Sequence, residues 1–300
     1  MRPPRGRYLL PLCALLLIFA DARAADIAAR ALAHAERNHR QAVTAVAEAQ
    51  SHVKNIESEL QIARTIEGDA RRSGDKAALT VAYEAVAESK TALEEARRLL
   101  MRTRVLAARR GRAVESLRAS VRTADPQSAF VVADGGDVRR FAADGTPIAE
   151  DAGPLRAGET IRTGPGASAR LFLAGELGQV QLAPDTEFTL EEDGLSGEGL
   201  ARLAAGHLRA LVKKLMAKER FEVRTPAMVC AVRGTDFEVD TTGGKTRVRV
   251  FNGAVDVTPT GGHDTIELTS GQQWTSGSDA PEPFDVNAFP APWENDHEAP

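Results

Sequence analysis

The chain has 300 residues and a formal net charge of −4, and 43% of its residues are hydrophobic while only 5% are aromatic. This length and composition allow two domains with a folded core. The slightly acidic balance excludes the overall basic character of a nucleic-acid-binding protein, so nucleic acid is not an expected partner.

Residues 1–24 are typical of a secretory signal peptide. Three arginines precede an apolar run from Tyr8 to Ala20, and Ala22-Arg23-Ala24 is a small-residue cleavage pattern. The run is shorter than the roughly 20 residues of a membrane span, so we expect cleavage after Ala24 rather than retention as an N-terminal anchor. The sequence thus predicts a periplasmic protein that keeps no integral membrane segment after cleavage.

Cysteine usage agrees with a fold that is held by packing alone. Beyond the signal peptide the sequence contains one cysteine, Cys230, and one thiol cannot form an internal disulfide. In an oxidising compartment the mature protein must therefore fold without this cross-link. We expect Cys230 to be a buried small apolar residue rather than a reactive thiol.

Residues 25–123 are predicted to form an antiparallel helical hairpin. Apolar residues recur at alternating steps of four and three from Ala28 to Ala63 and from Leu79 to Val121, which is a heptad pattern. Ser73-Gly74-Asp75 interrupts this pattern as a turn, and Asp75 is suited to cap the second helix. Each arm of about 45 residues would be on the order of 70 Å long.

The hairpin seam is weak, because many of its positions are alanine and others are His39, Ser89, Thr103 and Arg110. Alanine buries little apolar area, and burial contributes about 25 cal/mol per Å². We therefore expect the coiled coil to form a homo-oligomer or to lie on a partner. A solvated spacer and two separate parallel-dimer segments fit the same spacing and remain alternatives.

Residues 124–276 are predicted to be all-β, because short alternating runs lie between turn signals. In RVRVFNGAVDV, Asn252-Gly253 is typical of a tight hairpin turn. Residues 200–220 fit a helix and a strand equally well by their apolar spacing. Residues 277–300 are rich in proline and acids and predict a disordered tail, whose Phe284, Phe289 and Trp293 are candidates for docking on the domain or on a partner.

Blocks spread over residues 127–276 resemble the FecR-protein domain family. Residues 154–190 are similar to its opening, and FEVRTPAMVCAVRGTDFEVD is similar to its most distinctive block. The resemblance implies an all-β, solenoid-like, exported domain, and it favours two strands over 207–224. The residues that carry it, which we interpret as structural, are Gly158, Thr163, Gly164, Thr186, Gly206, Thr225, Pro226, Gly234, Thr235, Phe237, Gly253 and Gly271.

Arg233-Gly234-Thr235-Asp236 in that block has two interpretations. In the functional one, Arg233 binds an anion, Thr235 supplies a hydroxyl and Asp236 acts as a base. In the structural one, Gly234 permits a bend, Thr235 caps the turn, and Phe237 returns to the core. The resemblance favours the structural interpretation.

Other signals of chemistry are weak. The six histidines show no metal-ligand spacing, and the sequence lacks a Gly-x-Ser-x-Gly elbow. We therefore expect no enzyme, no cofactor and no metal. A candidate anion-binding patch lies on the second arm and comprises Arg97, Arg98, Arg102, Arg109 and Arg110. The favoured alternative is that these arginines pair with acidic side chains of the first arm or are simply solvated.

Together these features predict a non-catalytic interaction module at the cell envelope. The coiled coil would provide oligomerisation or reach, and the β domain would bind a protein partner or an envelope polysaccharide. The alternative is a component of a FecR-like, sigma-factor-regulating signalling system that works with a separate membrane protein. The family's namesakes carry a cytoplasmic segment and a membrane helix where this sequence has the hairpin, so their iron-signalling role is not expected here.

Overall fold

The computed structural model describes residues 12–121, 129–173, 178–192, 198–213, 220–232, 234–262 and 264–292. Their contacts divide the chain into two compact units. The hairpin unit is residues 36–114, and the β unit combines residues 1–35 with 115–300.

Two helices form the predicted hairpin. Helix α1 spans Leu12–Ser73 and helix α2 spans Lys76–Val121. Between them, Gly74 has a φ of 74°, the left-handed conformation that commonly ends a helix. Asp75 then caps α2, because its Oδ1 accepts hydrogen bonds from two backbone N–H groups of the first turn at 3.0 and 3.1 Å. The predicted hairpin, turn and cap are confirmed.

The heptad seam holds the two helices together in antiparallel orientation. Arg97 of α2 forms a 2.8 Å ion pair with Glu57 of α1, and Arg110 donates a 2.8 Å hydrogen bond to the carbonyl of Asn38. Later residues of α2 thus meet earlier residues of α1. The apolar residues that share the seam are Val53, Ile56, Leu60, Ala63, Val86, Leu93 and Ala96.

Helix α1 continues without a break through Ala24, where the sequence predicts signal cleavage. In the described part of the chain, neither helix contains a stretch that is long and apolar enough to span a bilayer. Cleavage and the predicted domain boundaries stay predictions.

The β half forms two sheets, each with nine strands among the described residues. In spatial order, sheet A contains β4 (Ala152–Leu155), β1 (Ala129–Gly135), β6 (Ser168–Leu173), β7 (Gly178–Leu182), β10 (His207–Val212), β13 (Asp236–Asp240), β14 (Arg247–Asn252), β17 (Gln272–Thr275) and β18 (Glu282–Pro283). Sheet B contains β3 (Pro147–Ile148), β2 (Val138–Phe141), β5 (Thr160–Thr163), β8 (Glu187–Glu192), β9 (Glu198–Ala205), β11 (Arg220–Arg224), β12 (Met228–Val232), β15 (Ala254–Pro259) and β16 (Ile266–Thr269).

The chain alternates between the sheets and adds its strands in nearly sequential order, so both sheets grow in one direction. The described strand neighbours are antiparallel except β9 and β11, which are parallel. The sheets do not close on themselves, so the solenoid-like description is not confirmed. Residues 207–224 contain β10 and β11, which confirms the two strands that the resemblance favoured.

The main core is a single apolar cluster to which both sheets contribute. Alternate residues of most strands enter it, among them Leu171 and Val180 from sheet A and Phe188 and Phe221 from sheet B. Cys230 belongs to this cluster as a free thiol, and burial raises its pKa to about 12. The thiol is therefore protonated at neutral pH, and the predicted burial of Cys230 is confirmed.

Residues 282–292 differ from the predicted disordered tail. Strand β18 pairs with β17, and a 3-10 turn follows at Val286–Ala288, where the side chain of Asp285 accepts a hydrogen bond from the N–H of Asn287 at 3.0 Å. Prolines prevent a longer strand because they lack the N–H that a sheet needs. Trp293 lies outside the described residues.

Candidate functional site

The Arg-Gly-Thr-Asp motif lies where the chain crosses from β12 of sheet B to β13 of sheet A. Arg233 is outside the described residues. Gly234 has a φ of 121°, a conformation that residues with a Cβ rarely adopt. Thr235 is buried, and its hydroxyl donates a 2.7 Å hydrogen bond to the carbonyl of Ala254, while Phe237 lies in the core. These three residues therefore direct the backbone through the crossover.

Asp236, the candidate base of the functional interpretation, is engaged by an arginine instead. Arg209 of β10 donates from Nε and from Nη2 to the two carboxylate oxygens, each at 3.0 Å. Only 7% of the Arg209 side chain and 14% of the Asp236 side chain are exposed. Both oxygens of this carboxylate accept charge-assisted hydrogen bonds from Arg209. The carboxylate is therefore engaged in the structure and is poorly placed to accept a proton from a substrate.

Arg209 belongs to a row of polar side chains across the outer face of sheet A, which we call the arginine ladder. Its members are directly opposite one another in register, so their side chains share one face. The row consists of Arg170 (β6), Gln181 (β7), Arg209 (β10), Glu238 (β13), Arg249 (β14) and Gln273 (β17).

The three ladder arginines are oriented in the same way. In each, Nε donates to a side chain on a neighbouring strand, which fixes the plane of the guanidinium and leaves terminal nitrogens for other partners. The pairs are Arg170 with Gln181 (3.0 Å), Arg209 with Asp236 (3.0 Å) and Arg249 with Gln273 (3.1 Å).

The C-terminal segment Glu282–Pro292, which we call the strap, lies over the ladder. Arg209 donates from Nη1 to the carbonyl oxygens of Phe289 at 2.7 Å and of the next residue at 3.1 Å. Arg170 donates from Nη2 to the carbonyl of Pro292 at 3.2 Å. The arginines therefore bind the main chain of the strap.

Aromatic contacts hold the middle of the strap. The guanidinium carbon of Arg249 is 4.5 Å from the ring centroid of Phe289, and that of Arg209 is 3.7 Å from the ring centroid of Phe251. The Phe289 ring meets Phe251 and Phe284 edge-on, with centroids 6.3 and 6.0 Å apart. Such cation–π and aromatic pairs anchor Phe289 over the row of arginines.

Asp134 of β1 adjoins the Arg170 end of the ladder. One oxygen contacts His34 of α1, and the other accepts a hydrogen bond from Gln181 Nε2 at 2.8 Å and lies 3.9 Å from Arg170 Nε. Burial raises the pKa of Asp134, but the hydrogen bond and charge of His34, assisted by Arg170 and Gln181, outweigh it, so the pKa lies below its usual value.

Glu238 occupies the centre of the ladder in a similar setting. His207 Nε2 lies 3.1 Å from one of its oxygens, and Arg249 Nη1 donates to the other. Burial raises the pKa of Glu238, but His207 and Arg249 outweigh that effect, and the pKa lies below its usual value. Both acids are therefore carboxylates at neutral pH, and the ladder is a row of compensated charges.

The other motif residues occupy turns and strand ends. Gly206 has a φ of 92°, and a Cβ there would lie 2.4 Å from the hydroxyl of Thr186. That hydroxyl accepts a 3.0 Å hydrogen bond from the N–H of His207. Gly253 has a φ of 94° at the predicted hairpin turn. Similar local positions are held by Gly158, Thr163, Gly164, Thr225, Pro226 and Gly271.

Within the described ranges, no three His, Cys, Asp or Glu side chains are grouped so that they could hold a metal ion. The candidate anion patch lies in the hairpin unit, where Arg97 pairs with Glu57 and Arg98 lies 3.5 Å from Glu94 of its own helix. Anion binding by this patch stays a prediction.

Sequence analysis did not identify the ladder arginines. The signal that it could have used is the alternation of Arg, Gln and Glu with apolar residues in ARLFL, QVQL, HLRAL, DFEVD and RVRVF. Because this alternation is typical of any sheet with one solvated face, it does not show that the outer face is covered.

Comparison with known proteins identifies the β half. Residues 159–256 match the model of a family described as FecR protein, a range that runs from just before β5 into β15. The chain therefore contains a FecR domain, which confirms the resemblance. No curated protein matches the chain.

Two crystal structures, at 1.65 and 2.50 Å resolution, of "a putative anti-sigma factor from Parabacteroides distasonis ATCC 8503" are similar to part of the chain. Each is 19% identical to it, with a TM-score of 0.38, over 43% of this chain. The match spans 61% of that protein's length.

Proposed function

From the FecR domain at residues 159–256, we propose that the protein is a non-catalytic interaction module that binds a protein partner at the cell envelope. In this proposal the protein is exported to the periplasm after signal cleavage. The hairpin provides oligomerisation or reach. The β domain is solenoid-like in the sense that both of its sheets add strands in one direction.

The observation that carries this proposal is that polar side chains on the outer face of sheet A bind one another and the main chain of the strap. Asp236 and Glu238 are each bonded to an arginine, and Arg209 directs its remaining nitrogen at backbone carbonyls. Guanidinium groups that bind main-chain oxygens are suited to holding a polypeptide. Carboxylates paired in this way are poorly placed for acid–base chemistry.

A crosslinking experiment tests the proposal. A photo-crosslinking residue is introduced in intact cells at exposed Lys245 or Asn252 in the β domain, and at exposed Leu99 in the hairpin as the matched comparison. We expect the β-domain positions to capture one protein, which when purified binds the purified chain stoichiometrically. Capture of glycan alone from the β-domain positions would contradict the proposal and favour an envelope polysaccharide as ligand.

The second candidate function is a component of a sigma-factor-regulating signalling system, which the FecR family match favours. A signalling component requires a particular kind of partner, whereas a general envelope module does not. The captured protein would be a membrane protein, and deletion of the chain would change transcription of a defined set of genes. An unchanged transcript profile would exclude signalling and leave the binding module.

A further inference from the structure

The strap lies over the arginine ladder on the outer face of sheet A, as a bound peptide would. Its carbonyl oxygens at Phe289, Pro290 and Pro292 accept hydrogen bonds from Arg209 and Arg170. These contacts use the main chain, so they accept any peptide that presents carbonyls at the same spacing.

The side chains of the strap indicate which peptides fit. Phe289 supplies an aromatic ring for the guanidinium of Arg249 and the ring of Phe251. Ala291 is only 7% exposed, so the position between the two prolines admits a small side chain. Proline restricts the chain to extended conformations and lacks an N–H that would otherwise need a partner. The surface therefore fits an extended Phe-Pro-small-Pro segment.

The geometry of the ladder spans such a segment. Arg209 and Arg170 lie on β10 and β6, which are separated by β7, so their backbones are about 10 Å apart. The strap carbonyls that they bind belong to Pro290 and Pro292, which an extended chain separates by about 7 Å. The long arginine side chains close the difference, so the ladder holds the segment across the strands rather than along them.

The strap is attached to the sheet by few backbone hydrogen bonds. Its register with β17 covers only Gln272–Pro283 and Gln273–Glu282, and one further bond of 2.9 Å joins the N–H of Phe284 to the carbonyl of Gly271. An edge attachment of this length can open without disrupting the sandwich core.

We propose that the face of sheet A beneath the strap is a peptide-binding groove for a Phe-Pro-small-Pro segment of a partner protein, and that the strap occupies it in cis as an autoinhibitory ligand. This inference rests on the proposed function and names the chemistry of its partner. A tethered occupant acts at a high effective concentration, so the partner segment binds strongly only when the strap is weakened or displaced.

The probe is a fluorescein-labelled peptide of sequence Asn-Ala-Phe-Pro-Ala-Pro, and its binding to the full chain is measured by fluorescence anisotropy. Phe289→Ser and, separately, Ala291→Arg weaken the strap within the full chain. We expect each variant to bind the peptide at least about tenfold more tightly than the wild type, because the competing strap is removed from the groove. A peptide with serine in place of phenylalanine is the negative control.

Two further substitutions locate the binding. Adding Arg209→Lys to the Phe289→Ser chain removes the planar fork and should weaken peptide binding by about tenfold, whereas Arg162→Lys, on sheet B, should leave it unchanged. Circular dichroism and thermal melting verify that each variant is folded. Equal affinity of wild-type and strap variants for the peptide, or a folded Arg209→Lys chain that binds undiminished, would overturn the inference.

Sedimentation measurements separate a second copy of the chain from a foreign partner. If the wild type forms a dimer that Phe289→Ser abolishes, the strap is exchanged between copies, and the inference of a foreign partner is overturned. The inference and the proposed function also fail separately. A captured protein without peptide binding refutes the groove alone. Peptide binding by the Phe289→Ser chain, with no protein captured in cells when that same strap variant carries the photo-crosslinking residue, refutes the envelope function.

Discussion

Arg209 and Asp236, on neighbouring strands of sheet A, are joined by two hydrogen bonds of 3.0 Å, while the remaining terminal nitrogen of Arg209 bonds to the strap. The carboxylate that the sequence offers as a base thus holds the arginine that binds the C-terminal segment. The most distinctive block of the FecR resemblance therefore contributes both the backbone crossover and one support of the ladder.

Replacing Asp236 with asparagine should destabilise the β unit by about 3 kcal/mol, because it leaves the mostly buried guanidinium of Arg209 without its counter-charge. Urea unfolding followed by tryptophan fluorescence measures the free energy of unfolding. The matched control is Glu187→Gln, which breaks an exposed 2.8 Å pair with Arg162 and should cost less than about 1 kcal/mol. Equal, small losses in both variants would show that the buried pair contributes no more than a surface one.

Replacing Gly234 with alanine should destabilise the β unit by about 2 kcal/mol, because its φ of 121° is strained for a residue with a Cβ. The control is Gly243→Ala, since Gly243 has a φ of 66° and open space around the added Cβ, and should cost only about 1 kcal/mol. Thermal melting compares the two. If Gly234→Ala melted like the wild type, the crossover would not depend on glycine.

The helical hairpin was predictable because its signals are local. The turn at Gly74 and the cap at Asp75 involve neighbouring residues, and the heptad spacing is a local periodicity that marks the apolar side of each helix. The short turn then sets which residues of the two helices meet, even where they are as distant in sequence as Arg110 and Asn38. The strands of the β half were predictable for the same reason, and the family resemblance resolved 207–224 where apolar spacing could not.

The docking of Phe284 and Phe289 on the domain was one of the two outcomes expected from the sequence, and their ring contacts with Phe251 confirm it. The order of the strap and the surface beneath it could not be predicted, because the contacts connect distant residues. Phe289 meets Arg209, which is 80 residues earlier, and Pro292 meets Arg170, which is 122 residues earlier. A proline-rich acidic segment has the composition of a disordered tail, and only the folded sheet brings the arginines into one row beneath it.

Acid should weaken the β unit through Asp134, whose pKa lies below its usual value. A carboxyl with a depressed folded-state pKa contributes stability that is present above its unfolded pKa of about 3.9 and is lost as pH falls through the folded value. Asp134→Asn should therefore cost about 2 kcal/mol at about pH 7, and its difference from the wild type should shrink below about pH 4.

Urea unfolding of Asp134→Asn and wild type across this pH range measures the effect. His34, Arg170 and Gln181 face Asp134, and they are unchanged in the variant. The control is Asp256→Asn, because Asp256 is exposed on β15, so its replacement should change the free energy of unfolding little across the pH range. A pH-independent difference for Asp134→Asn would refute the ionised arrangement.

Replacing His39 with leucine should stabilise the hairpin unit by about 1 kcal/mol. His39 lies in the heptad seam, where its Nδ1 is buried and has no hydrogen-bond partner among the described residues. A Cβ on Gly111 would lie only 3.2 Å from the ring, so α2 already makes room for a side chain of this size. Leucine removes the unsatisfied polar atom while it keeps the bulk, and far-UV circular dichroism during urea unfolding measures the gain. The control is His52→Leu, at an exposed position of α1, which should change stability little. If His39→Leu instead lost stability, the imidazole would contribute a polar contact that holds the seam.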